Sequence, residues 1–197
     1  MTINYKEMLN DLSFINISKD EFALFEWKPP SSFKSYVLDL NIIKQNPLSD
    51  IFFHIDKGNM KIVHIRKNNL IYSIGATEIQ YQILEALIEQ VSKVFHEIYD
   101  IDVILSYENF DTSIFNSFKK QIDEIINDFD TLKLVNKINV ECKVCNKILT
   151  VYVKKSFIQN ADSYPVPLVY KHKGHAILIF IDHNFSVRGQ ELVNMTG

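Results

Sequence analysis

The chain contains two cysteines, and they stand together in Cys142-Lys143-Val144-Cys145. Two randomly placed cysteines fall at this spacing about one time in a hundred, so the pair reads as a feature. A disulfide across two intervening residues closes a strained ring. A redox pair belongs at a helix start after a strand. Here strand-like sequence flanks the pair on both sides, which suits a tight turn aiming two thiolates at one zinc ion. A structural zinc takes four ligands. The second pair is expected from His172 and His175 in Tyr170-Lys171-His172-Lys173-Gly174-His175, another turn between strands. This half of the set is the weaker signal, because six histidines offer many chance pairings. The bland alternative is a reduced cysteine pair in a turn, with solvated surface histidines. A third reading is a metal-dependent hydrolase built on His172, His175, Asp182 and His183 with an open zinc position. Against it, Asp182 and Arg188 have the spacing of a simple pair across a hairpin.

The elements that must position these residues are short strands. Leu134 to Val140, Ile148 to Val153, Val166 to Tyr170, Ala176 to Asp182 and Val187 to Val193 all read as extended. Pro165 and Pro167 place the third of these at an edge or at a strand entry. Cys145 and His172 are 27 positions apart, room enough for intervening strands. Two hairpin tips facing each other is the plan of a zinc ribbon. So small a segment buries little surface by itself. Metal binding supplies folding free energy directly, and docking on the rest of the chain does so without metal.

The preceding residues read differently. Residues 1–50 are poorly patterned: Tyr5 to Leu12 suits a short helix, Phe22 to Trp27 a strand ended by Pro29-Pro30, and Ser35 to Ile43 either element. Ile51 to Ile55, Met60 to Arg66 and Leu70 to Ile74 form an antiparallel meander, turned at Gly58 and at Asn68-Asn69. Thr77 and Gln80 have capping-box spacing. A helix from about Glu78 to Tyr99 follows, with Ile79, Ile83, Leu84, Leu87, Ile88, Val91, Val94, Phe95 and Ile98 on one face. Glu85 and Glu89 are assigned to its solvated side. Ile101 to Leu105 is expected to be extended. Asp111 should cap a second helix bearing Ile114, Phe115, Phe118, Ile122, Ile125, Ile126 and Phe129.

Of 197 residues, 47% are hydrophobic and 23% charged, enough apolar surface to exclude disorder as the main state. No apolar run reaches about 18 residues, so no membrane-spanning helix is expected. The beginning lacks a signal-peptide pattern, and a cytoplasmic protein, at most peripheral to a membrane, is expected. The net charge of −3 hides an asymmetry. Residues 1–130 hold 12 Lys/Arg against 20 Asp/Glu, a balance of −8, and residues 131–197 hold 9 against 4, a balance of +5. Two modules with a boundary near Asp130 follow. They either dock on each other or leave the basic half for an acidic partner, such as nucleic acid or a lipid headgroup. No phosphate loop, nucleophile elbow or His-Glu-x-x-His helix is present. Five glycines leave few places for backbone to wrap a phosphate.

The stretch from Met60 to Phe129 resembles the longin-like domain of adaptor and coat-complex small subunits. Lys61-Ile62-Val63-His64-Ile65-Arg66 and Leu70-Ile71-Tyr72-Ser73-Ile74 look like two of its strands. Ile83-Leu84-Glu85-Ala86-Leu87-Ile88-Glu89 and Val94-Phe95 are similar to its long helix, Ile101-Asp102-Val103-Ile104 to the segment after it, and Ile122-Asp123-Glu124-Ile125 to its last helix. The resemblance requires the first fifty residues to supply the earlier strands and helix. It implies an α+β (α/β) fold with an antiparallel sheet, no catalytic residue, and a scaffold that binds small GTPases, coat components or SNARE-like helices. Tyr164-Pro165-Val166, His172, His175, Ile181-Asp182 and Val187-Arg188-Gly189 together also resemble a small archaeal β module of zinc-ribbon type. The expected protein is therefore a non-catalytic adaptor with a structural zinc at Cys142, Cys145, His172 and His175. A nucleic-acid binder using the basic half is the alternative.

Overall fold

A computed structural model of the chain describes residues 10–20, 22–30, 48–107 and 111–193. The chain is an α+β protein. It divides into two compact units, Met1–Leu132 and Lys133–Gly197.

The first unit is built on a five-stranded antiparallel sheet in the order β2-β1-β5-β4-β3. Its strands are β1 (Leu12–Lys19), β2 (Phe22–Trp27), β3 (Phe52–Lys57), β4 (Met60–Lys67) and β5 (Leu70–Ala76). The meander β3-β4-β5 is the expected one. Asn68 and Asn69 both take positive φ, at 45° and 61°, in a two-residue turn whose twist matches the flanking strands. The strand Leu12–Lys19 has no counterpart in the sequence reading. It lies between β2 and β5, and its apolar residues outnumber the alternation that would have marked a half-exposed strand. The short helix expected at Tyr5 to Leu12 falls outside the described residues except for its end, where Leu12 opens β1 instead. The element expected at Ser35 to Ile43 lies outside them entirely.

The main helix, α1 (Tyr81–Ile98), buries Ile83, Leu84, Leu87, Ile88, Val91 and Phe95 as the stripe requires. It starts later than the capping box implied. Gln80 is the N-cap residue without a side-chain cap bond, and Thr77 instead donates its N–H to Asp11 O at 3.2 Å. Glu85 corrects the expectation of a solvated acidic face: it is buried, and its Oε1 lies 2.9 Å from His54 Nε2 on β3. Tyr72 on β5 pairs its hydroxyl with His96 Nε2 of α1 at 2.7 Å. Side chains alternate along a strand, so Ser73 and its cross-strand neighbours Asn16 and His64 lie on the sheet face away from α1. That face is buried as well, and Asn16 Oδ1, Ser73 Oγ and both ring nitrogens of His64 have no hydrogen-bond partner.

Two further expectations need correction. Ile101 to Leu105 is helical, as α2 (Ile101–Ser106). Asp100 outweighs the β-branched composition, its carboxylate accepting from the N–H groups of Asp102 and Val103. Asp111 caps not the long helix but a 3-10 turn, Thr112–Phe115, ahead of α3 (Phe118–Asn127) and α4 (Phe129–Leu132). Phe115, Phe118, Ile122 and Phe129 are buried as the pattern required, while Ile114 is exposed. Trp27 joins β2 to α3 through its indole N–H, which donates to Asp123 Oδ1 at 2.8 Å.

The second unit contains the hairpin β6 (Val135–Cys142) and β7 (Lys147–Lys154), a short helix α5 (Lys155–Gln159), and a sheet of β8 (Val166–His172), β9 (His175–Ile181) and β10 (Val187–Val193). In that sheet the order is β10-β9-β8, so among the described residues β8 is an outer strand, one of the two positions expected from Pro165 and Pro167. One core joins the two sheets: Ile138, Val140, Leu149, Val151 and Val153 on one side, Val166, Ile177, Ile179 and Ile181 on the other.

Candidate metal centre

The candidate ligands are the last inward-facing residues at one end of this shared core. In β6 the core positions 138 and 140 continue to Cys142, which pairs across the hairpin with Lys147. In β8 and β9 the core positions Tyr170 and Ile177 continue to His172 and His175, which are themselves cross-strand partners. Cross-strand partners share a face. The period-two alternation that buries isoleucine and valine therefore turns Cys142, His172 and His175 inward at the hairpin tips.

Both turns are shaped by positive φ. The Lys173-Gly174 loop has φ of 45° and 79°. In the other hairpin, Asn146 takes φ 52°, and its N–H donates to Cys142 O at 2.8 Å. This closes the loop tightly enough for main-chain N–H groups to point at sulfur. The Cys145 backbone N–H, the strongest influence, lowers the Cys142 thiol below its ordinary range; burial opposes it, and the Val144 N–H and the Cys145 side chain assist. A turn that donates two backbone N–H groups to one sulfur favours its thiolate, the form that binds metal. Both cysteines are free thiols; Cys142 is buried and Cys145 partly so.

The tips meet at Cys145 and His172, with Sγ 3.6 Å from Nε2. Burial first, then the charges of Lys173, His175 and Lys147, lowers the His172 pKa. Both influences favour the neutral ring, the form that binds metal. The four donors do not yet converge on a point. Among the described residues, no three His, Cys, Asp or Glu side chains are gathered as a set that could hold a metal ion. The structure brings together Cys142 with Cys145 and Cys145 with His172, and sets His175 opposite His172.

Asp182 and His183 are elsewhere. They follow the far end of β9, seven residues along the strand from His175, which is about 20 Å of extended chain. Asp182 is buried and fully engaged. Its Oδ1 accepts from the N–H groups of Asn184 and Ser186 at 2.9 and 2.8 Å, and its Oδ2 from Arg188 Nε at 2.6 Å. The Ser186 N–H bond leads in holding this carboxyl below its usual range. The Asp182–Arg188 pair is thus the hairpin pair expected, here as a buried turn clasp. His183 is exposed, with its Nε2 2.9 Å from the Asn184 side-chain nitrogen. The geometry does not unite these two with His172 and His175.

One polar site escaped the sequence reading. His54 stacks on Tyr81 at 4.2 Å between ring centroids while contacting Glu85, and the Tyr81 hydroxyl donates to Asp56. Histidine on the outermost strand facing a glutamate one turn into the helix was the available signal, but it needed the strand register to be read. No family model and no curated protein sequence matches this chain.

Proposed function

We propose that this chain is a non-catalytic interaction protein made of a longin-like module and a zinc-stapled β module. The observation carrying the proposal is the meeting of the two hairpin tips, with Cys145 Sγ 3.6 Å from His172 Nε2. Two residues of metal-binding type, 27 positions apart, are brought side by side at the end of one core. Zinc bound there by Cys142, Cys145, His172 and His175 fixes one hairpin tip against the other, with side-chain rotation drawing Cys142 and His175 onto the ion. Such a metal is structural: four protein ligands leave no position for substrate.

The first unit supports the adaptor role in a simple way. The longin resemblance demanded additional strands from the first fifty residues, and β1 and β2 are strands of that segment, paired beside β5. Among the described residues the order β2-β1-β5-β4-β3 leaves β2 as an outer strand. An edge strand offers unpaired backbone groups to a partner strand. The partner class implied by the resemblance is a small GTPase or a coat-like subunit.

Two measurements test the reading. Elemental analysis of purified protein should return about one zinc per chain; a metal-free native protein refutes the zinc module. Affinity capture from source lysate followed by mass spectrometry should enrich GTPases or coat-like subunits. Enrichment of ribosomal or other nucleic-acid proteins instead overturns the adaptor role.

A further inference from the structure

We propose that the double-hairpin tip of the second unit docks on an anionic lipid surface. Four lysines surround it: Lys143 and Lys147 on the first hairpin, Lys171 and Lys173 on the second, all exposed. The 3.6 Å approach of Cys145 to His172 brings the two sets to one end of the unit. Glu141 and Glu191 lie beside Lys143, and Glu141 is also the cross-strand partner of Ile148; four lysines against two glutamates keep the tip positive. Two aliphatic side chains are interleaved with these cations. Val144 follows Lys143 with 49% of its surface exposed, and Ile148 follows Lys147 with 76% exposed. Neither packs in the core that its neighbours Cys142 and Leu149 help to form.

Lysine and bare aliphatic surface at one end of the hairpin match the two layers of a membrane interface. Ammonium groups pair with anionic headgroups, and the aliphatic groups enter the acyl boundary beneath them. A nucleic acid asks for different chemistry: aromatic platforms for bases and arginine forks for phosphates and base edges. Among the described residues the tip has neither. Tyr170 is packed against the core, and Arg188 sits at the opposite end of the sheet, paired with Asp182.

The test is sedimentation of the full chain with phosphatidylcholine vesicles, with and without phosphatidylserine. Binding is expected only with phosphatidylserine, and it should weaken as salt is raised. A Lys143→Glu/Lys171→Glu/Lys173→Glu variant should bind about a hundredfold more weakly, at roughly fivefold for each lysine lost near the surface. Ile148→Ser should lose about tenfold. Because Ile148 is exposed, this single change decides the matter even where the triple variant fails to fold. The proposal is overturned by absence of sedimentation at low salt, by equal binding to neutral vesicles, by unchanged binding of Ile148→Ser, or by retention on RNA or DNA in place of vesicles. It rests on the surface of the tip and not on the zinc reading. Metal content measured on the same sample separates the two.

Discussion

At the scale of single residues, the informative contrast is between His172 and His183. Each is a histidine in a turn beside a strand, and composition alone cannot rank them. Position does: His172 ends an inward-facing row and touches Cys145, whereas His183 is exposed beside Tyr164. Cobalt added to metal-free protein should give thiolate charge-transfer absorption in the wild type. That absorption should fall sharply in Cys145→Ser, which leaves Cys142 as the one thiolate of the set, weaken in His172→Ala and stay unchanged in His183→Ala. Equal effects of the two histidine changes would contradict the assignment. The cysteine pair was legible because its spacing is rare. The histidine pair was half legible, since its closeness to the cysteines depends on two hairpins meeting.

His64 makes a second residue-scale case. Burial, followed by the charges of His54 and Arg66, lowers its pKa from 6.5 to about 4. Neither ring nitrogen has a hydrogen-bond partner, and the ring stacks on Phe53 at 5.2 Å. The folded state therefore keeps the imidazole neutral, while the unfolded chain takes up a proton below about pH 6.5. Its contribution to stability is whole above pH 6.5 and is lost as the pH falls toward 4. Urea denaturation of His64→Leu across this range should show a shallower fall in stability than the wild type. An unchanged slope would remove His64 from the acid response.

At the scale of elements, the central strand β5 depends on one glycine. A Cβ built on Gly75 would stand 2.2 Å from Phe14 Cε1, and Phe14 is its cross-strand partner on β1. The aromatic ring fills the space a side chain would take, which lets β5 run to Ala76 rather than end at Ile74. Phe14 is itself buried, so it has little room to retreat. Gly75→Ala should destabilise the first unit by about 1–3 kcal/mol, read as a shift in the urea midpoint of its unfolding. A neutral effect would show that the ring moves freely. The same contact explains why β1 was hard to see. Its packing partner is more than fifty residues distant in sequence, and its own apolar run has neither strict alternation nor helical spacing. Local pattern recovered α1, the meander and the strands after residue 133. Where a cap outweighed composition, at Asp100 and α2, it did not.

At the scale of the whole molecule, the two units give separable readouts. Trp27 is the single tryptophan, and it lies in the first unit, buried and bonded to Asp123. If zinc staples the second unit, a strong chelator should unfold residues 133–197 and leave Trp27 emission unchanged. Hydrogen exchange would then accelerate in β6 to β10 and stay slow in β1 to β5. Loss of the tryptophan signal on chelation would show that the units do not unfold independently. By itself the sequence determined the meander, the apolar stripe of α1, the five later strands, the clustered cysteines and the opposite charge of the two halves. These rest on turn chemistry, short periodicities and composition, which are local. Only the tertiary structure decided that β1 enters the first sheet, that Glu85 is buried against His54, and that Cys145 meets His172. Each of these depends on contact between elements far apart in sequence, and such contact is decided by which faces must be buried together.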